Sequence, residues 1–198
     1  EVSDAGEVYE LCRGTFREEY HIAEERILGS LFEDPDFSAE ESKKIVDEKN
    51  GRMVGFVGVK VSHNEQLYPA SAWISIFAIK KEEQGKGYGT MVLNQVCQSL
   101  HKNGINKIYV GQDFNNFFSG IPDPDEGKEI FFKKNGFTLN RDRHFDLEAD
   151  ITDNRLIDSF DTSSFDKEFT VASYKDNKKE LLGFFAQGGG NRRSQVLF

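Results

Sequence analysis

Gln84-Gly85-Lys86-Gly87-Tyr88-Gly89 sets three glycines and a lysine between a charge-free apolar run, residues 70–79, and a helical pattern that opens at Thr90. A loop of this kind at a helix start offers free backbone N–H groups and the positive end of the helix dipole, which together suit an anion such as phosphate. Glycine lets the backbone approach closely because no Cβ intervenes, and Lys86 can add a charge at the rim. The hexapeptide is not a P-loop, since GxxxxGK[ST] is absent. Nor is it the Rossmann fingerprint, because Gly85, Gly87 and Gly89 are spaced GxGxG and not GxGxxG. A plain glycine-rich turn joining strand to helix would satisfy the same six residues, so at this point both readings stand.

Other chemistry finds less support. His21, His63, His101 and His144 are scattered without ligand spacing, so no metal is expected. Cys12 and Cys97 both fall in helical patterns, which argues against a disulfide framework and for a reducing, cytoplasmic setting. Tyr88, Tyr109 and Asp113 are polar residues that could take part in chemistry, with packing or phosphate binding, a strand position and a loop cap as their ordinary roles. "FNNFFSGIP", residues 114–122, reads as one wall of a substrate pocket or as a loop tucked under the core. "DPDEG", residues 123–127, reads as a solvated acidic turn.

The elements that must position these residues follow from periodicity. Residues 8–16 and 22–32 carry apolar side chains at helical spacing (Val8, Leu11, Cys12, then Ile27, Leu28, Leu31). Residues 42–48 and 53–61 flank Asn50-Gly51, which predicts a hairpin with a type I′ turn. Ser38 and Glu41 would also fit a capping box. The uncharged run at 70–79 is expected to be a central strand. Residues 90–102 predict a helix with Val92, Leu93, Val96 and Leu100 on one face and Asn103-Gly104 as its stop. "INKIYVG" is a further strand, "KEIFFKKNGF" a short helix closed by Asn135-Gly136, and "GFTLNRDRHFDLE" strand-like material. The order predicts an α/β (α+β) fold with a mixed sheet.

Composition narrows the function. With 37% hydrophobic residues and 18 Phe, the 198-residue chain can bury a core of its own. A formal net charge of −9 argues against a nucleic-acid surface and places no repulsion on a cationic or amine substrate. No apolar run approaches the roughly 20 residues of a membrane span.

"QGKGYG" resembles the [RQ]-x-x-G-x-[GA] signature of the GCN5-related N-acetyltransferase (GNAT) superfamily, and it stands where that family places it. "FFKKNGF", residues 131–137, resembles the family's second marker, and "NGRMVGFVGV", residues 50–59, resembles its hairpin and third strand. The three matches come in the family's order across residues 8–147. The family's first strand would precede the helix at Val8, which suggests residues missing from the N-terminus.

The resemblance implies a mostly antiparallel GNAT-like sheet flanked by helices, and acetyl-CoA, or a related acyl-CoA, as co-substrate. Its pyrophosphate would lie on the N–H groups of Gln84, Gly85, Lys86, Gly87, Tyr88, Gly89 and Thr90. Its pantetheine arm would lie along Phe77, Ala78 and Ile79, where the central strand splays from the next, with Asn115 or Asn116 touching the arm. Backbone N–H groups there can also stabilise the oxyanion formed when an amine attacks the thioester. Trp73, Asp113 and Phe118 are the candidate substrate contacts. The chain departs from the family at two positions. Phe132 stands where many members have a tyrosine acid, and by spacing from Gln84 the usual glutamate base falls on Trp73. General acid–base assistance contributes about 10²–10⁴-fold, so positioning and oxyanion donors could still give an enzyme. The catalytic acid and base are left unassigned.

The stretch at 114–122, with Gly120-Ile121-Pro122, resembles the "GxP" loop after the fifth strand of a subgroup often built as two acetyltransferase-like halves. On that pattern residues 1–148 form the acetyltransferase domain and 149–166 a linker. Residues 167–198 then begin a second half or complete the sheet of another copy, and the terminal strand at 194–198 could pair edge to edge in a homodimer. Two functions stay open. One is an N-acyltransferase acting on a primary amine of a small molecule or protein, favoured by the intact loop. The other is a CoA-binding regulatory module with little catalysis, favoured by Trp73 and Phe132.

Overall fold

The computed structural model describes residues 4–113, 117–121 and 126–139. All of them belong to the first of two compact units, residues 1–139; the second unit, residues 140–198, lies outside the described residues. The expectations for Asn115, Asn116, His144, the last strand-like segment beyond Leu139, the linker and the C-terminal half therefore fall outside them too.

Helix α1 (Ala5–Thr15) buries Ala5, Val8, Leu11 and Cys12, and α2 (Glu24–Ile27) continues into a π-helical turn at Leu28–Phe32. Glu33 N–H reaches back to the Leu28 carbonyl at 2.9 Å, five residues away, as a π turn requires. Strands β1 (Lys43–Asp47), β2 (Arg52–Val61) and β3 (Ser71–Ile79) follow, then α3 (Tyr88–Lys102), β4 (Lys107–Val110) and α4 (Glu126–Lys134). The sheet order is β1-β2-β3-β4, antiparallel except for the parallel β3–β4 pair.

The sheet is covered on both faces, which explains why β2 and β3 are apolar almost throughout. One face packs Met53, Phe56, Ile76 and Ala78 against α1 and α2. The other packs Val57, Val59, Ala72 and Ile74 against Val92, Leu93, Val96 and Leu100 of α3, and against Phe132 of α4. Switching faces within β3 requires an extra residue. Gly58 pairs with Ile76 while Val59 pairs with Ile74, so Ser75 is bulged out of the ladder.

Both predicted helix stops form by the same device. Gly104 has φ +82°, and Ile105 N–H bonds the Leu100 carbonyl while Gly104 N–H bonds that of His101. Gly136 (φ +89°) repeats the pattern, with Phe137 to Phe132 and Gly136 to Lys133. These are Schellman caps, and only glycine enters the left-handed region without strain.

The β1–β2 hairpin forms, but its turn is not type I′. Gly51 has φ +69°, whereas Asn50 is not in the left-handed region. The Asp47 carbonyl takes Gly51 N–H at 2.8 Å, and its carboxylate takes Lys49 N–H and the Asn50 side-chain amide. This Asp-anchored network supports a four-residue loop closed by Asp47 and Arg52, where a two-residue turn would leave the carboxylate without partners. Ser38 Oγ accepts Glu41 N–H at 3.3 Å, half of a capping box. The Glu41 carboxylate takes the Asn103 side chain at the end of α3, so the reciprocal half does not form.

Burial pushes the Cys12 thiol up to about 12 from 9.0. The folded protein keeps this proton where the unfolded chain loses it. The site's contribution to stability is therefore complete below the unfolded value of 9.0 and is lost as pH rises towards 12. A thiol reagent at about pH 8 should leave Cys12 untouched in the folded chain and label it in denaturant. Equal labelling rates in both states would contradict the buried position. Among the described residues no helix is long and apolar enough to cross a membrane.

Candidate active site

The end of β3 leads into the glycine loop through a single helical turn, Lys81–Glu83. The Gln84 side chain donates to the Ile79 carbonyl at 2.8 Å and ties the loop back to the strand it leaves. Gly85 (φ +75°) and Gly87 (φ +90°) are left-handed, and a Cβ at either would meet nothing within 4 Å. Their glycines therefore serve backbone conformation and leave open space beside it. Gly89 differs: a Cβ there would lie 3.2 Å from Phe131 and 3.4 Å from Ile79, so its role is close packing of α3 on α4.

Gly87 is the N-cap of α3 and supplies no side-chain cap, and the first turn carries no acidic residue. Helix geometry leaves the N–H groups of Tyr88, Gly89 and Thr90 without acceptors, since the first turn-closing bond is Met91 N–H to the Gly87 carbonyl. Gly85 to Tyr88 are exposed. Exposed donors, the positive dipole and a first turn without carboxylates fit a diphosphate. Lys86 pairs with Glu83 at 3.0 Å on the surface, a contact weak enough to yield to a stronger anion.

Upstream, β3 and β4 diverge. Their pairing runs from Ser71 with Lys107 to Ile74 with Val110 and ends with Gly111 N–H on the Ile74 carbonyl at 3.0 Å. Beyond Ile74, β3 continues to Ile79 against β2 alone, among the described residues, so its other edge lies open. A cavity of about 80 Å³ occupies this fork. Ile74, Ser75, Ile76 and Phe77 line it from β3, Phe16 and Tyr20 from the α1–α2 segment, and Phe118, Gly120 and Ile121 from the chain beyond β4. Lys128 and Phe132 of α4 close it, with the Lys128 ammonium 5.9 Å from the centre of the Phe16 ring.

The wall beyond β4 is held in three ways. Gln112 N–H bonds the Phe118 carbonyl at 2.7 Å. A Cβ on Gly111 (φ +71°) would fall 2.6 Å from the Gly120 backbone, so only glycine permits this approach. Asp113 takes Phe117 N–H at 3.3 Å on one oxygen and the Lys60 ammonium at 3.1 Å on the other. Lys60 is 0% exposed and also holds Asp34 at 3.0 Å and the Ser30 carbonyl at 2.6 Å. Asp113, one of the expected substrate contacts, is thus an interior ion-pair partner and is not among the residues that line this cavity.

Trp73 is likewise not among the cavity residues. It is buried, stacked on Tyr109 at 5.6 Å and edge-on to Tyr68 at 5.1 Å, one step from the fork on the paired part of β3. Phe118 and Phe77 line the cavity, whereas Ala78 and Ile79 are core residues; Lys80 N–H bonds the Val54 carbonyl, so by alternation the Ala78 backbone faces β2 and those of Phe77 and Ile79 face the open edge. Phe132 packs against Phe77 at 5.7 Å and Phe137 at 5.4 Å, an apolar residue inside the cavity wall. Tyr20, Ser75 and Lys128 are polar cavity residues that the sequence did not single out. Only the predicted break in β3 pairing could have pointed to Ser75. No group of three or more His, Cys, Asp or Glu side chains that could hold a metal ion occurs among the described residues.

The fold has relatives among solved structures. The glucosamine N-acetyltransferase region of a fungal multi-domain GH3 β-N-acetylglucosaminidase aligns with TM-score 0.61 and 22% identity over 70% of this chain and 16% of that one. The chain thus spans a small part of that protein's length. The ribosomal-protein-S18-alanine N-acetyltransferase from Escherichia coli aligns with TM-score 0.54 and 14% identity over 70% of this chain and 74% of that one. An aminoglycoside acetyltransferase from an uncultured soil metagenomic sample, in complex with trehalose, aligns with TM-score 0.54 and 17% identity over 75% and 92%. At these identities the likeness is one of fold. No curated protein matches the sequence. The profile of the acetyltransferase (GNAT) family matches residues 5–119, more than half the chain and the part that carries the fork and the loop. This chain belongs to the GNAT family of acetyltransferases.

Proposed function

We propose that the protein transfers an acetyl group from acetyl-CoA to a primary amine by direct attack on the thioester. One observation carries the proposal: the open edge of β3, from the fork at Ile74 to Ile79, is followed, after the turn at Lys81–Glu83 and the glycine loop, by the uncapped start of α3. A CoA diphosphate on the N–H groups of Gly87 to Thr90 would lay its pantetheine arm along that edge. The thioester would then sit in the cavity at the fork. The amine would enter from the side of Phe16 and Tyr20, which belong to the opposite layer of helices.

The chain's own residues supply positioning and a mostly apolar chamber, in which Phe16, Phe77, Phe118 and Phe132 limit the water around the thioester. Backbone N–H groups on the unpaired edge of β3 are the donors available to a developing oxyanion. Phe132 cannot return a proton to the leaving thiolate, but a thiolate leaves without much help. Tyr20 is a phenol on the cavity wall that could assist. On this reading the acceptor is an amine of a small molecule or of a protein.

A panel of primary amines with acetyl-CoA and a thiol-detecting dye tests the proposal. Amine-dependent thiol release by the full chain is the expected result. Tight CoA binding with no release for any amine would replace it with a CoA-binding module in which Phe132 marks lost catalysis.

A further inference from the structure

Ser75 is the one polar side chain that β3 contributes to the cavity, and it occupies the bulge at which β4 leaves the strand. It is 2% exposed, and its Oγ is buried without a hydrogen-bond partner among the described residues. A serine hydroxyl carries one donor and two acceptor sites, and burying it unsatisfied is unfavourable. Alanine would fill nearly the same space without that penalty. A hydroxyl kept in this state, on the wall of a cavity and at a break in the ladder, is placed for a ligand atom.

We propose that the Ser75 hydroxyl donates a hydrogen bond to the carbonyl oxygen of the bound thioester, and holds it more tightly as that oxygen becomes an anion. The inference rests on the acyltransferase reading above. Ser75 stands four residues before Ile79, about 13 Å along the strand at ~3.3 Å per residue, on the side away from the glycine loop. An arm that follows this edge from the loop would end towards the fork, where Ser75 lines the cavity.

The amine lone pair forms the new C–N bond as the carbonyl π pair moves onto oxygen, giving a tetrahedral oxyanion that accepts a hydrogen bond from the Ser75 hydroxyl. The oxyanion then re-forms C=O and the C–S bond breaks, with its electron pair leaving on sulfur. The proton lost from nitrogen passes through solvent to the thiolate, so an amide and free CoA result. Ser75 keeps its own proton throughout and acts as a catalytic donor.

Ser75→Ala in the full chain separates this role from a packing role. Its Tm should stay the same or rise, because a buried unpartnered hydroxyl is removed. A structural hydroxyl would instead lower it. Calorimetry should give the same Kd for CoA in both proteins. An S-carboxymethyl-CoA analogue, which puts an anionic oxygen near the carbonyl position, should lose about tenfold in affinity for the variant. Turnover should fall about a hundredfold, as for loss of one oxyanion donor, and Ser75→Thr, which restores the hydroxyl, should recover part of it.

Unchanged turnover together with unchanged analogue affinity in Ser75→Ala would overturn the assignment. A change confined to the KM of the amine would also overturn it, by moving the hydroxyl to the acceptor. Failure of the wild-type chain to bind CoA at all would overturn the acyltransferase reading itself, and this inference with it.

Discussion

Gly87→Glu is expected to abolish CoA binding, with affinity lowered by more than about a hundredfold, equivalent to roughly 3 kcal/mol. Gly87 caps α3 at φ +90°, and a Cβ there would point into open space, so the variant can fold. Its backbone would carry about 1–2 kcal/mol of left-handed strain. The larger effect is electrostatic. The new carboxylate would stand at the positive end of the helix and take the N–H groups of Gly89 and Thr90 for itself, where a diphosphate would otherwise sit. Gly87→Ala carries the strain without the charge and should lose far less affinity. A folded Gly87→Glu protein that binds CoA as the parent does would remove the loop from the site.

The second large effect concerns stability. Lys60→Met leaves Asp34 and Asp113 buried without the ammonium that lies 3.0 and 3.1 Å from them. Removing one member of a buried ion cluster typically costs about 3–5 kcal/mol, because the remaining charge stays desolvated. Urea unfolding should register a loss in that range. The triple change Lys60→Met, Asp34→Asn and Asp113→Asn should recover much of it, since the replaced charges no longer need a partner. A single-variant loss under about 1 kcal/mol would show that the cluster is better hydrated than its full burial implies. Asp113 also holds Phe117 N–H beside the cavity wall, so the same variant should weaken activity in proportion to its loosened loop.

Much of the positioning scaffold was legible before any coordinates, because it is written in local rules. Asn103-Gly104 and Asn135-Gly136 each ended a helix by the same left-handed cap. The uncharged run through Trp73 and Phe77 became an interior strand because both its faces are covered. Finer chemistry depended on which partner claimed which group. Asn50-Gly51 suggested a mirror-image turn, but Asp47 gathers the turn amides and builds a longer loop. The three glycines of the hexapeptide looked equivalent, yet Gly85 and Gly87 serve conformation while Gly89 yields space to Phe131.

Residues whose role depends on long-range neighbours were opaque. Alternation along β2 would send Lys60 to solvent, but two carboxylates distant in sequence draw it inside. The Asp113 role was hidden for the same reason. Ser75 sits among apolar residues with no local mark of a bulge, and only the pairing of both neighbours with β2 exposes it. The family's usual acid and base positions, Phe132 and Trp73, proved to be an aromatic cavity wall and a packed core residue.

On the proposed reading, the start of α3 holds the diphosphate of an acyl-CoA whose arm follows the open edge of β3. Backbone amide resonances of the full chain, followed through a titration with acetyl-CoA, address it residue by residue. The largest shifts are expected at Gly85, Lys86, Gly87, Tyr88, Gly89 and Thr90, followed by Ser75, Phe77 and Ile79. A saturable titration that leaves these amides unmoved, or no shift anywhere, would contradict it.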